Sequence, residues 1–272
     1  MIEAAVAVAG PPKNAILREI RDLASRHAIE GHRLWTDPPL DTQGLPVLLV
    51  GGLASTAWQL QVIRDWLVRL NCQVRICPVA YGIGCGERTT ERVTESLIAQ
   101  GAETGRRSVV IAHSRGGQFA RAAAVRRPDL VEALIVLGSP INHMVGVHTL
   151  LKAPVALLAL GGTLGLPGLF SSTCLWGRCC RRLRADLQSP FPQDVSFLSV
   201  YSRQDAFVDW QSTLDPAATH REIDASHGGL LCTAEAFEAV ADELAQIVDR
   251  RPEWGASASN PAPIQMNPAA AA

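Results

Sequence analysis

The sequence lacks any excess of charge: its 25 Lys and Arg residues face 26 Asp and Glu over 272 positions, a formal net charge of −1. That excludes the broad basic surface of a nucleic-acid binder, so no nucleic-acid partner is expected. Lysine is nearly missing, with Lys13 and Lys152 the only two; beside the high alanine content this reads as coding bias rather than function. The apolar stretch Met1–Gly10 has no basic flank, carries Glu3 and is too short for the apolar region of a secretory signal. The expected location is therefore cytoplasmic. Paired C-x-x-C spacing is also missing. Seven cysteines are an odd number, so at least one is unpaired or bridges to another molecule. Cys174, Cys179 and Cys180 lie close together beside Arg178, Arg181, Arg182 and Arg184, without the spacing of a zinc site, and no metal is expected. A disulfide from Cys174 to Cys179 or Cys180 would staple this segment in an oxidising compartment. Cys72, Cys77 and Cys85 read as small buried hydrophobes. Finally, Gly82-Ile83-Gly84-Cys85-Gly86-Glu87 has a carboxylate where the third glycine of G-x-G-x-x-G belongs, which excludes a pyrophosphate there and leaves no cofactor expected.

What is present is an alternation of apolar strands and amphipathic helices. Strands are expected at Val47–Val50, Gln73–Val79, Ser108–Ala112, Val131–Leu137, Val195–Tyr201 and Arg221–Asp224. Helical spacing appears around Trp58–Leu70, at Thr89–Gln100, after Gly116-Gly117, and at Ala234–Val248. An earlier helix over Asn14–Ile29 is expected to bury Ile16, Leu17, Ile20 and Leu23 along one stripe. Such alternation implies an α/β fold with a mainly parallel central sheet flanked by helices and functional residues at the carboxyl ends of the strands.

The pattern places one serine at a telling position. Ser108-Val109-Val110-Ile111-Ala112-His113-Ser114-Arg115-Gly116-Gly117-Gln118 runs from a β-branched strand through a small-residue turn into a helix. A sharp strand-to-helix turn lifts its central side chain above the sheet, and small neighbours are needed where the two backbones nearly touch. The stretch resembles the nucleophile elbow G-x-S-x-G of the α/β-hydrolase family, with Ala112 in place of the first glycine. Further along, Asp205 follows the strand ending at Tyr201, and His227 follows the last strand within Ser226-His227-Gly228-Gly229. The order Ser114, Asp205, His227 is the order of that family's catalytic residues. Asp209, deeper in its loop, and Asp224, three residues before His227 and expected still within the strand, are the competing acids. His113 is expected to point away from Ser114 and serve packing.

The resemblance spans about Pro46 to Asp249 and also rests on Leu-Gly-Ser-Pro at 137–140 and Val-Tyr-Ser-Arg-Gln-Asp at 200–205. It implies a serine esterase or lipase of the bacterial type, with Ser114 as nucleophile, His227 as base and Asp205 as its orienting acid. The backbone N–H groups of Leu53 and Arg115 would form the oxyanion hole. The same three residues would serve an acyltransferase or thioesterase, and a non-catalytic binding protein on this fold is the reading from another class. Residues 1–45 read as an N-terminal helix and linker, 46–140 and 193–250 as the core, and 251–272 as a disordered tail rich in Ala, Pro, Ser and Asn. The alternation fails over 141–192, where Ala153–Phe170 is almost wholly apolar but divided by Gly161, Gly162, Pro167 and Gly168. Those breaks argue against a membrane span and for an apolar cap or lid, or simply extra core. Such a cap implies a small-molecule or lipid ester with an apolar acyl chain, and is the part of the chain that would touch a lipid surface.

Overall fold

In the computed structural model, which describes residues 11–141, 144 and 146–251, six parallel strands form one sheet. They are β1 Pro46–Val50, β2 Gln73–Ile76, β3 Ser108–His113, β4 Val131–Leu137, β5 Ser196–Tyr201 and β6 Thr219–Glu222, in the order β2-β1-β3-β4-β5-β6. Helices α1 Ala15–Ala24 and α2 Arg33–Thr36 precede the sheet, and α3 Gln61–Arg69, α4 Gly86–Thr104 and α5 Gly116–Arg126 are crossovers. Helices α6 Thr149–Thr163, α7 Ser172–Leu175 and α8 Arg181–Gln188 lie between β4 and β5, and α9 Ala234–Asp249 follows β6.

The apolar runs form strands because both faces of the sheet are covered. Val47 and Leu49 join one core with Trp66 and Leu67 of α3 and Phe237 and Leu244 of α9, where the Trp66 and Phe237 rings stack 4.4 Å apart. Leu48 and Val50 join the other, with Val93 and Leu97 of α4, Phe119 of α5 and Leu183 of α8. Two strand ends differ from expectation. β2 stops at Ile76, just before Cys77 and Pro78, since proline has no N–H to give a ladder. β6 is displaced to Thr219–Glu222, an edge strand with every side chain exposed, so no apolar pattern marked its ends and Asp224 falls outside it.

The first helix corrects the sequence reading most. It ends at Ala24, and the stripe expected to be buried is open: Ile16, Leu17, Ile20 and Leu23 are 44, 66, 60 and 42 % exposed. Its polar side faces inward instead. Asp22 Oδ2 accepts from Ser226 N at 3.1 Å, and Glu19 Oε1 accepts from Gly228 N at 2.8 Å. The turn after β6 carries N–H groups that no strand or helix satisfies, and leaving them unpaired in the interior costs more than exposing a few aliphatic side chains.

The segment between β4 and β5 is held to the core by buried charges. Arg121 of α5 meets Asp215 at 2.8 Å and donates to the carbonyls of Asp186 and Ser189 at the end of α8. Arg126 meets Glu87 at 2.7 Å and Asp186 at 2.6 Å. No helix among the described residues is long and apolar enough to cross a membrane. The stretch Met1–Gly10 and the tail beyond Arg251 lie outside the described residues.

Candidate active site

The end of β3 turns sharply at Ser114, whose φ of +55° lies in the left-handed region that non-glycine residues seldom occupy. Holding it there costs about 1–3 kcal/mol, which the neighbouring packing must offset. The Ser114 N–H is tied to the Leu137 carbonyl at 3.0 Å. Gly116 is required because a Cβ there would stand 2.6 Å from the carbonyl oxygens of Val50 and Gly51. Ala112, by contrast, sits fully buried between Val50 and Val136 in the sheet, so its extra methyl is accommodated.

Asp205 and His227 come together directly. The turn after β5 wraps around the Asp205 carboxylate, whose Oδ1 accepts from the Phe207 and Val208 N–H groups, both at 2.8 Å. Oδ2 is thereby aimed at His227 Nδ1, 2.6 Å away. Gly138, at φ +55°, makes room for this pair: a Cβ there would lie 3.1 Å from Asp205 Oδ2 and 3.3 Å from His227 Nδ1. Burial pulls the His227 imidazole down, but the Asp205 carboxylate and its hydrogen bond outweigh it, with Glu19 adding to them, and the net shift is upward.

Ser114 and His227 line one cavity of about 270 Å³, with Glu19, Arg26, Leu53 and Phe207 also on its wall. No hydrogen bond joins Ser114 to His227 among the described contacts. A smaller apolar cavity of about 50 Å³ adjoins it at Ser114, Leu53 and Leu151 and runs between Val155, Phe170 and Val208. A larger hollow of about 850 Å³ lies elsewhere, around Arg121 and Phe191, and contains none of the candidate residues.

The competing acids have other work. Asp209 caps the short helical turn at Trp210 by accepting from Gln211 N at 3.3 Å. Asp224 is exposed and paired with Arg18 at 3.1 Å. His113 is more than packing. Its ring lies 4.4 Å from that of His227, and its Nε2–H donates to the His227 carbonyl at 3.0 Å. Burial, reinforced by His227, holds it neutral with a pKa of about 3.

Leu53 and Arg115 are brought to the same place. A Cβ on Gly52 would lie 2.6 Å from Ser114 Cβ and 3.0 Å from Arg115 N, so the turn after β1 rests against the elbow. Neither Leu53 N nor Arg115 N donates to a backbone acceptor among the described residues. Gly51 offers this turn no side chain, and its anchor is the loop after β2. Ala54 N donates to the Tyr81 carbonyl at 2.7 Å, and the Arg115 guanidinium donates to the Gly82 carbonyl. A Cβ on Gly82 would strike the Gly52 carbonyl. Gly82, in the run that read only as a failed dinucleotide motif, therefore serves close backbone packing.

Sequence reasoning missed Glu19, Gly82 and Gly138. For Glu19 the available signal was Glu19 and Asp22 at helical spacing on one face. It also missed that Cys85 joins Cys174, Cys179 and Cys180, with all four sulfurs within 4.8 Å of one another. The expected disulfide is not formed. All seven cysteines are free, and Cys174 Sγ lies 3.6 Å from Cys179 Sγ, well beyond the bond length of about 2.05 Å.

No protein-family model matches the chain, and no curated protein matches it in sequence. Solved structures do. A metagenomic carboxyl esterase aligns at 17% identity with a TM-score of 0.54, over 79% of this chain and 77% of that one. A Bacillus licheniformis lipase in its mature form aligns at 14% and 0.55, over 76% and 94%. A monoacylglycerol lipase from Paleococcus ferrophilus aligns at 14% and 0.51, over 76% and 96%. Together with the strand order and the elbow, these likenesses show that the chain has the α/β-hydrolase fold.

Proposed function

We propose that the protein hydrolyses carboxylic esters through an acyl-enzyme on Ser114. The observation that carries this reading is the buried 2.6 Å contact between Asp205 and His227, opening onto the cavity that Ser114 also lines. His227, with Nδ1–H held by Asp205, presents Nε2 as a base, takes the Ser114 proton as the hydroxyl oxygen attacks the ester carbonyl, and returns it to the leaving alcohol. The negative charge on the carbonyl oxygen is met by the N–H groups of Leu53 and Arg115. A water, deprotonated by His227, then releases the acid. The structural likeness to a carboxyl esterase and to two lipases supports the same chemistry.

The apolar cavity of about 50 Å³ beside Ser114 is the acyl pocket in this reading. Its walls of Val147, Val155, Phe170 and Val208 suit the apolar acyl chain that an apolar cap suggested. The helices bordering the cavities also expose aliphatic side chains: Leu17 and Ile20 on α1, Leu157 and Leu160 on α6. These support contact with an apolar surface, which co-sedimentation with vesicles would measure.

A fluorophosphonate probe tests the core of the proposal. The folded wild type is expected to be labelled at Ser114 and the Ser114→Ala variant not; absence of labelling in folded wild type would refute it. A panel of esters of rising acyl length is expected to show kcat/KM higher for the more apolar acyl groups, and adding an alcohol acceptor separates hydrolysis from acyl transfer.

A further inference from the structure

Four cysteines converge far from one another in sequence. Cys85 stands at the N-terminus of α4, Cys174 lies in α7, and Cys179 and Cys180 immediately precede α8. Their sulfurs are separated by 3.4 Å for Cys85–Cys179, 3.7 Å for Cys85–Cys180 and 3.6 Å for Cys174–Cys179, and all four lie within 4.8 Å. With metal–sulfur bonds of about 2.3 Å, tetrahedral coordination puts its four sulfurs about 3.8 Å apart. The observed spacing is that of ligands around one ion, too long for disulfides and too tight for sulfurs spread around a multi-iron cluster.

The surroundings fit the same purpose. Cys85 is the N-cap residue of α4, where the positive end of the helix favours a thiolate. Arg184 donates to the carbonyls of Cys174 and Leu175, both at 3.2 Å, fixing the ligand-bearing turn. Independently, the Arg115 guanidinium carries a buried Nη2 with no hydrogen-bond partner, and stands within electrostatic reach of Cys85, Cys174 and Cys180. A buried cation short of a partner calls for negative charge nearby. Four thiolates around a dication supply a net charge of −2. Three of the cysteines are buried, while the exposed Cys179 opens with Cys85 and Cys174 onto a surface cavity of about 520 Å³, a route of entry for an ion.

We propose that Cys85, Cys174, Cys179 and Cys180 bind one structural zinc ion that fastens the segment between β4 and β5 to the loop after β2. Soft thiolates in tetrahedral array favour zinc among common divalent ions. Binding releases the four thiol protons to solvent, changes no oxidation state, and leaves no open position for a substrate. Because the loop after β2 also holds the Gly52-Leu53 turn through Tyr81 and Gly82, the ion would stiffen that side of the cavity without entering the chemistry. The proposal does not depend on the esterase reading.

The full chain, produced in zinc-supplemented medium, is expected to contain about one zinc per molecule by elemental analysis. Cys85→Ser and Cys180→Ser should lose it, whereas Cys77→Ser and Cys232→Ser, outside the cluster, should keep it. Variants that misfold would leave the question to the wild type. Stripping the metal with a chelator should lower Tm by ~5 °C or more, and titrating the stripped protein with Co²⁺ should raise thiolate-to-cobalt charge-transfer absorption that zinc abolishes. Folded protein without zinc, cobalt titration without that absorption, iron in zinc's place, or an intact mass showing a disulfide within the four would each overturn it.

Discussion

The two sides of the Ser114 cavity are held by different chemistry. On the His227 side the supports are charged or polar side chains. Asp205 aims the imidazole, Glu19 and Asp22 of α1 catch the N–H groups of Gly228 and Ser226, and His113 holds the His227 carbonyl. On the Leu53 side the supports are mainly backbone against backbone, Gly52 against the elbow, Gly82 against Gly52 and Ala54 N to the Tyr81 carbonyl, with the Arg115 guanidinium adding a side-chain bond to the Gly82 carbonyl. The difference follows from what each side has to do. A base must be oriented and tuned, and charge does both. In the proposed mechanism the Leu53 and Arg115 N–H groups must stay unpaired yet fixed, which close packing of the turn allows.

That contrast is tested most severely by Asp205→Asn, which should lower kcat/KM by ~10⁴ while Ser114 keeps its elbow geometry, measured by steady-state kinetics. Arg121→Ala removes the partner of the buried Asp215 and should cost ~3–5 kcal/mol in denaturant unfolding, since it frees the segment that carries Cys174–Cys180 from α5. Gly52→Ala puts a methyl 2.6 Å from Ser114 Cβ and should reduce kcat by ~10², with KM little changed. Activity at the wild-type level would mean that the Leu53 side yields more easily than its packing implies.

The stacked histidines give a subtler test, because their shifts have opposite signs. His113 is depressed from 6.5 to about 3, so its contribution to stability is complete above pH 6.5 and lost as pH falls toward 3, at ~1.4 kcal/mol per unit. His227 is raised, so its contribution is complete below pH 6.5 and lost as pH climbs through its folded pKa. Unfolding measured against pH should therefore show His113→Gln flattening the acid side alone. The smallest effect is expected for Glu19→Gln. Removing that charge lowers the His227 pKa, and the acid limb of kcat/KM, where His227 must be neutral, should move to lower pH.

The inner strands were legible because their cores, such as Val109-Val110-Ile111, are buried on both faces and so read as unbroken apolar runs, whereas the edge strands β2 and β6 are exposed or half-buried and were misplaced at their ends. Ser114 and Asp205 were legible because each follows a strand whose end could be located, and His227 from its place after them in Ser226-His227-Gly228-Gly229, although the strand before it was misplaced. Residues 141–192 yielded no elements, because the apolar run over α6 is interrupted by Pro154, Gly161 and Gly162 and its outer side chains, Leu157 and Leu160, are exposed rather than buried. α1 was misjudged for a related reason. Periodicity finds the apolar stripe of a helix but not what the rest of the chain needs from it, and here the turn after β6 needed carboxylates.

By itself the sequence determined the α/β alternation, the strand-to-helix turn at Ser114 and the order in which an acid and a histidine follow it, because these are local patterns set by burial and backbone sterics. Tertiary structure alone decided which way α1 faces, that Gly82 and Gly138 are spacers beneath the site, and that Cys85 meets Cys174, Cys179 and Cys180. Each of these depends on distances between segments remote along the chain, and nothing in the spacing of residues along one segment encodes the position of another.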